Sequence, residues 1–497
     1  MAVVASDRGD PCAHAVKNEL KLCPFEIKER APYHVLRLLA GAKVNENKEQ
    51  DCIILSICGN DYMITSEALE FYNRVADRIK REELEAKGFS ASFNTEDVCF
   101  IFNHAGKVAA IEYGKDPKML RVFFYLADYG GCGFYRIIQP SCFFNKDKES
   151  LIYSEYGDGF SHNLGKNFDV IVYPRLGDPW AFSVLRALKN MGKVVIFETD
   201  DLLSSIPDWN PAKHAHHAKE NLWREKFIKE CDGLIVSTEE LKSRLGREDR
   251  TYVCHNGVDE KIWPMVVKEQ VGVRESKEKG EKIGILWAGS KTHSKDLAMI
   301  APVIKRLIRQ FPETLHVYFV GSVPTEFLIS QDVCGVLTAE VCPQFRNNIS
   351  FVHGVNVFQY PQLLASLPVH IALAPLVECE FNECKSEIKV LEAWALGLPM
   401  IASRIAPYSR AIKHNVNGLL IGPNQNDWYY AIESLIANPA KRTEFAKRGL
   451  ETLREKYMMT QIRDDYERAL LLLARGRTVR KECNAAIQKR LEEKKWL

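Results

Sequence analysis

The densest chemistry in the chain lies in one short stretch that holds Asn382, Lys385, Ser386, Lys389 and Glu392. Lys385 and Lys389 are four residues apart and Lys385 and Glu392 seven, so on a helix all three share one face. A cation near a helix start with a carboxylate two turns on suits an anion such as phosphate that carries a polyol. The free N–H groups of the helix N-terminus add to such a site. An ordinary solvated charged face fits the same residues. A second group is the turn Asp128-Tyr129-Gly130-Gly131-Cys132-Gly133, followed by Arg136. Glycines let backbone amides approach a ligand closely, and the five-donor fork of an arginine suits phosphate. Asp200 and Asp201 form a third group, readable as a divalent-metal pair or as a turn, and the turn reading is preferred. His214, His216 and His217 cluster without a cysteine or carboxylate at zinc-like spacing, so an exposed loop is expected there and no metal site.

The elements that hold these groups follow from periodicity. Residues 369–375 read as a buried strand and 399–402 as another. Between them Ile388, Leu391, Ala395 and Leu396 repeat at helical spacing, and Gly397 and Pro399 end the helix. This is a parallel strand–loop–helix–strand unit, in which ligands sit beyond the carboxyl ends of strands. The glycine turn follows an apolar strand at 122–126. Strand–helix alternation continues through strands at 168–173, 193–197 and 233–236, with helices at 180–190 and 220–231. Ser237-Thr238-Glu239-Glu240 reads as a capping box. The charged segment 268–282 reads as a linker. Beyond it come strands at 283–287, 315–320 and 349–352, helices at 296–309 and 360–366, and three C-terminal helices within 428–474. Residues 1–115 differ: strands at 52–58 and 61–64, a helix at 66–87 and a hairpin over 98–113 make a β-β-α-β-β accessory module.

Composition narrows the class. The 497 residues are 46% hydrophobic and 27% charged with a net charge of +2, which fits a globular protein and gives no global pull toward polyanions. The 14 cysteines form no regular framework, and they are expected as reduced thiols. No apolar run is long enough to span a bilayer, and the first residues lack a signal-peptide core, so a cytoplasmic protein is expected. The tail from Arg475 carries eight Lys/Arg against three Glu. It is read as a solvated helix, with contact to nucleic acid or to a membrane surface as the other readings.

The stretch FNECKS–IK–LEAWALGLP–IAS resembles the donor signature of retaining glycosyltransferases of the GT-B fold, specifically family 4 and its relatives. GGCGFYR is similar to their interdomain glycine loop, His255-Asn256-Gly257-Val258-Asp259 to their NGVD turn and Asn417–Leu420 to their NGLL segment. The resemblance covers roughly residues 120–474 and implies an α/β fold of two Rossmann-like domains facing across a cleft. The implied units are 1–115, an accessory module; 116–267, the acceptor-side domain; 268–440, the nucleotide-sugar domain; and 441–497, helices returning to the first domain with the basic tail. It gives Glu392 the donor ribose. Gly289, Ser290, Thr292, His293, Lys295, Lys385 and Ser386 take the rest of the donor, and Gly130, Gly131, Gly133, Arg136, Asp200 and Asp201 line the cleft for phosphate or acceptor. In the wider family an Arg stands where this chain has Ser290, and a first motif carboxylate where it has Cys384. A subgroup with an FN–KS motif shares both departures. The resemblance implies a UDP- or GDP-linked sugar as donor, no bound cofactor, no metal and no assigned catalytic base. A glycan acceptor is favoured. The alternatives are an enzyme that glycosylates hydroxymethylated DNA bases and a binding protein of the same fold without turnover.

Overall fold

The computed structural model describes three strands within residues 43–64 as backbone. It also describes residues 116–497, apart from 145–149, 158–166, 176, 216–217, 246, 261, 264–281, 334–335, 356 and 479. The helix read at 66–87, the hairpin over 98–113, most of the charged linker, and His216 and His217 lie outside the described residues. The N-terminal strands β1 (Lys43–Asn47), β2 (Cys52–Ile57) and β3 (Asn60–Ile64) form an antiparallel meander.

The first large sheet is wholly parallel. Its strands are β4 (Leu120–Tyr125), β5 (Ile152–Gly157), β6 (Val170–Pro174), β7 (Val194–Thr199), β8 (Gly233–Val236) and β9 (Thr251–Val253), in the order β5-β4-β6-β7-β8-β9. The second is built alike from β10 (Ile283–Ala288), β11 (Leu315–Val320), β14 (Ile349–Val352), β15 (Ile371–Ala374), β16 (Met400–Ser403) and β17 (Leu419–Ile421), in the order β14-β11-β10-β15-β16-β17. A hairpin of β12 (Leu328–Val333) and β13 (Val336–Val341) stands between β11 and β14, where the sequence analysis places no strand. The strands of both sheets are apolar runs because helices cover both faces; β6, β7, β8, β15 and β16 are buried along their whole length. Two Rossmann-like domains with parallel sheets make this the GT-B architecture that the motifs imply.

Strand order reverses at β4/β6 in the first domain and at β10/β15 in the second. These are the topological switch points, where crossovers leave on opposite faces and a crevice opens at the carboxyl ends. The glycine turn follows β4, and the 288–296 loop follows β10 and opens helix α1 (Ser294–Gln310). The FN–KS loop follows β15 and leads to helix α2 (Ile388–Ala395), in which Val390, Leu391, Ala393, Trp394 and Ala395 are buried. Thr238 caps the helix that starts at Glu239, its hydroxyl accepting from the Leu241 N–H at 3.2 Å.

The C-terminal helices α3 (Met459–Ala474) and α4 (Lys481–Glu493) pack on the first domain. The Val258 N–H donates to the Tyr457 carbonyl and the Val258 carbonyl accepts from the Met459 N–H, and Leu473 fills the space beside Gly233. Basic residues of the tail are paired with acids outside α4: Arg477 with Asp232, Arg480 with Asp169, Arg490 with Glu467 and Lys494 with Asp464. Cys483, Ile487 and Leu491 of α4 are fully buried, so the tail is a docked helix.

Candidate functional site

The two switch points meet face to face. Several hydrogen bonds cross directly from one domain to the other: Asn256 Nδ2 to Ser386 Oγ at 2.7 Å, Thr238 Oγ1 to the Cys384 carbonyl at 3.0 Å, and Ser205 to Glu380 at 2.7 Å. Ion pairs cross as well, among them Lys385 to Asp201 at 3.2 Å, Arg410 to Glu240 at 2.5 Å and Arg244 to both Glu380 and Glu383. The cleft is therefore closed on itself around the sequence-predicted residues.

Glu392 lies at its centre, 9% exposed. The Tyr135 hydroxyl donates to its Oε1 at 2.9 Å from the first domain, and the Tyr360 hydroxyl donates to Oε2 at 3.3 Å. Burial pushes the Glu392 carboxyl up, against the pull of Lys389 and the two phenols. Tyr135 sits in a π-helical turn, Phe134–Ile138, that directly follows the glycine turn; such bulges re-aim side chains and are frequent at functional sites. The turn itself is built by Asp128, whose Oδ1 accepts from the N–H groups of Gly130 at 2.8 Å and Gly133 at 3.4 Å. A Cβ on Gly133 would stand 1.8 Å from the Asp128 carbonyl oxygen, so only glycine closes this turn. Gly131 has open space beside it.

Arg136 is 1% exposed and does not line the crevice. Its Nε reaches Glu198 at 2.5 Å, and its Nη1 reaches the Cys254 carbonyl at 2.6 Å and Asn256 Oδ1 at 2.9 Å. Because Asn256 goes on to Ser386, Arg136 orders the joint between the domains. Another arginine, which the sequence reading did not single out, occupies the crevice of the first domain. Arg175, at the end of β6, has a left-handed backbone (φ 44°), pairs with Asp128 and lies 3.7 Å from Asp200. Cys132, Asp200 and Asp201 bring three potential ligand atoms within 4.8 Å of one another. Arg175 and Lys385 already supply positive charge to those aspartates, which suits a compensated polar cluster better than a cation site.

In the second domain Ser290 and Thr292 bond each other at 2.7 Å near the surface of the 288–296 loop. His293 Nδ1 is 2.7 Å from Asp296 Oδ2, while Asp296 Oδ1 accepts from the Val377 N–H at 2.7 Å. Asp296 thus ties the two switch-point loops together and fixes the imidazole. Burial, with Lys389 nearby, lowers the His293 pKa to about 4. With its Nδ1 proton directed to Asp296, the neutral ring presents Nε2 as an acceptor, suited to a hydroxyl rather than a phosphate oxygen. Lys295 is exposed and lies 5.5 Å over the Trp209 ring, across the cleft. Lys385 also stacks 4.4 Å over Phe381. Gly289 leaves room for Lys389, whose Nζ would be 2.9 Å from a Cβ there. Cys384, at the position of the family's first carboxylate, is fully buried in the apolar core of the first domain and is not presented to a ligand.

Residues 282–438 match the model of the glycosyl transferases group 1 family. Among curated proteins, D-inositol 3-phosphate glycosyltransferase of Pseudarthrobacter chlorophenolicus is 43% identical over 58 residues, 12% of this chain and 14% of that protein. The putative glycosyltransferase YtcC of Bacillus subtilis is 26% identical over 179 residues, 35% of this chain and 42% of that protein. The chain thus spans under half the length of either relative. Among solved structures, HepE of Anabaena in complex with UDP-glucose is 13% identical with a TM-score of 0.49, covering 75% of this chain and 100% of that one. Sucrose-phosphate synthase from Thermosynechococcus elongatus is 13% identical with a TM-score of 0.48, covering 70% of this chain and 97% of that one. Residues 282–438, the second of two Rossmann-like domains, thus resemble the glycosyl transferases group 1 family.

Proposed function

We propose that the protein is a retaining glycosyltransferase that moves a sugar from a nucleotide-diphosphate sugar, UDP- or GDP-linked, to a hydroxyl of a glycan. The observation that carries this reading is the buried Glu392 carboxylate at the switch point of the family-matched domain, satisfied by two phenols where ribose hydroxyls would bind. The opposed glycine turn and the 288–296 loop bracket it from the two domains. Ribose hydroxyls donate to Glu392, Ser290 and Thr292 offer hydroxyls to the diphosphate, and His293 Nε2 accepts from a hydroxyl.

In the reaction the bond from the anomeric carbon to the diphosphate oxygen breaks and a bond to the acceptor oxygen forms on the same face. The acceptor proton passes to the leaving phosphate, so no side-chain base is required. The chain's residues bind, orient and stabilise the charge that develops on the diphosphate. Closure of the two domains, visible in the cross-cleft bonds, excludes water that would otherwise hydrolyse the donor. The acceptor faces Asp128, Arg175, Asp200 and Asp201 in the first domain. A glycan is preferred to DNA because much of the tail's basic charge is paired within the protein.

The test is a panel of UDP- and GDP-linked hexoses and pentoses with oligosaccharide acceptors and, separately, hydroxymethylated duplex DNA. Nucleotide release and product mass are the readouts, followed by NMR of the new anomeric centre. A glycan that gains one sugar with the donor's configuration supports the proposal. Mass gain on the DNA bases moves the acceptor class, an inverted centre removes retention, and no nucleotide release with any donor removes the enzymatic reading.

A further inference from the structure

We propose that Lys389, rather than Lys385, is the cation that binds the diphosphate of the donor, a residue role that rests on the nucleotide-sugar reading above. Lys385 already has an anion. Its ammonium is 3.2 Å from Asp201 and stacked on Phe381, so it serves the contact between the domains. Lys389 lies in the first turn of α2, on the same face as Glu392, whereas Lys385 lies in the loop before that helix. Its Nζ donates to the carbonyl of Ala288, the last residue of β10, and lies 5.4 Å over the Trp287 ring. The ammonium therefore sits at the mouth of the 288–296 loop, and Gly289 keeps that space clear because any Cβ there would be 2.9 Å from Nζ. Lys389 also lines a small cavity together with Glu392, Tyr360, Leu286 and Ala288.

Three observations make this ammonium a receptor for an anion. It has three protons and one hydrogen-bond acceptor, a neutral carbonyl, and it forms no ion pair among the described residues. Burial disfavours its charge more than the nearby Glu392 and Asp296 carboxylates, neither in contact with it, favour it, and an anion bound directly to the ammonium relieves that cost. Its neighbour Glu392 is the group proposed for the ribose. In a nucleotide the phosphates adjoin the ribose, so a cation one turn from the ribose carboxylate lies where the diphosphate must pass. Finally, the 288–296 loop offers the hydroxyls of Ser290 and Thr292, which bond each other at 2.7 Å and carry no charge. Without Lys389 the loop after β10 would meet the diphosphate with hydroxyls and the exposed Lys295, which lies over Trp209 on the far side of the cleft. Lys389 supplies positive charge at the start of that loop, from α2.

The test compares Lys389→Met, Lys389→Arg and Lys385→Met by calorimetric titration with UDP, GDP, uridine, guanosine and inorganic pyrophosphate. Thermal unfolding checks that each variant is folded. Lys389→Met should weaken the diphosphate that wild type binds by about 10- to 100-fold while shifting the corresponding nucleoside by less than about threefold. Lys389→Arg should recover part of the loss, and Lys385→Met should lose less than Lys389→Met. Unchanged diphosphate affinity in Lys389→Met overturns the role while leaving the donor reading intact. So does an equal loss for nucleoside and diphosphate, which would mark a purely structural lysine. Wild type that binds neither nucleotide nor pyrophosphate overturns both.

Discussion

Tyr135→Phe is expected to tighten nucleotide binding even though it deletes a hydrogen bond to the proposed ribose carboxylate. In the closed cleft both Glu392 oxygens are taken, Oε1 by Tyr135 at 2.9 Å and Oε2 by Tyr360 at 3.3 Å. The carboxylate can accept further hydrogen bonds, but it is only 9% exposed, so a ribose reaches it only where a phenol yields, and Tyr135 makes the shorter bond, from the opposite domain. A hydrogen bond to a charged group contributes about 1.5–3 kcal/mol, and the net loss is smaller once water reaches the exposed oxygen. Taking about 1 kcal/mol as the net stabilisation that the donor must undo, removal of the phenol should lower the nucleotide Kd about fivefold. The same change should lower the Tm of the ligand-free protein by about 1–3 °C. Calorimetry with UDP and GDP gives the affinity, and differential scanning fluorimetry gives the Tm. A Kd raised by Tyr135→Phe would show that the phenol assists the bound donor, and the displacement argument would fail.

Other expectations follow from the same geometry. His293 is neutral in the folded protein, with its pKa lowered to about 4 from 6.5. Between these values the unfolded chain binds more protons, so the contribution of this group is complete above pH 6.5 and lost as pH falls toward 4. The loss is on the order of 3 kcal/mol, and His293→Asn should flatten that part of the wild-type denaturation profile. The Lys385–Asp201 pair is partly buried and crosses the cleft. A double-mutant cycle with Lys385→Met and Asp201→Asn should give a coupling of about 1–2 kcal/mol in urea unfolding, and a value near zero would mark it as a surface-like contact. Gly133→Ala cannot fit its Cβ 1.8 Å from the Asp128 oxygen and should abolish nucleotide binding or soluble expression, whereas Gly131→Ala, with open space, should be tolerated.

The parts of this molecule that repeat locally were legible in the sequence. Alternating apolar runs and helical spacing place β11, β14 and the Tyr360–Ser366 helix at their observed bounds, and the 3–4 spacing around Leu391 gives α2. Strand β5 was missed because half of it, Glu155 to Gly157, is only partly buried, so IYSEYG lacks the apolar run of its neighbours. The β12–β13 hairpin was missed as a two-stranded insertion outside the parallel sheet. The site was legible where its residues share one helix, as Lys389 and Glu392 do; Lys385 lies in the loop before α2, so the expected helical face does not extend to it. It was not where the partner comes from the other domain: Tyr135 and Glu392 are 257 residues apart, and no local pattern joins them. Arg136 illustrates the same limit. An arginine after a glycine turn suits phosphate by type, but the chain folds Glu198 and Asn256 against it. Arg175, whose position depends on the strand order, lines the crevice instead.

The most direct measurement of the account is calorimetric titration of UDP and GDP into wild type and Glu392→Gln. The substitution keeps the shape of the side chain and removes the charge that would accept the ribose hydroxyls. One of the two nucleotides should bind wild type, and Glu392→Gln should weaken it by roughly 1–3 kcal/mol with thermal unfolding little changed. Equal affinity in the two proteins, or no binding of either nucleotide to wild type, would contradict the assignment of this cleft as a nucleotide-sugar site.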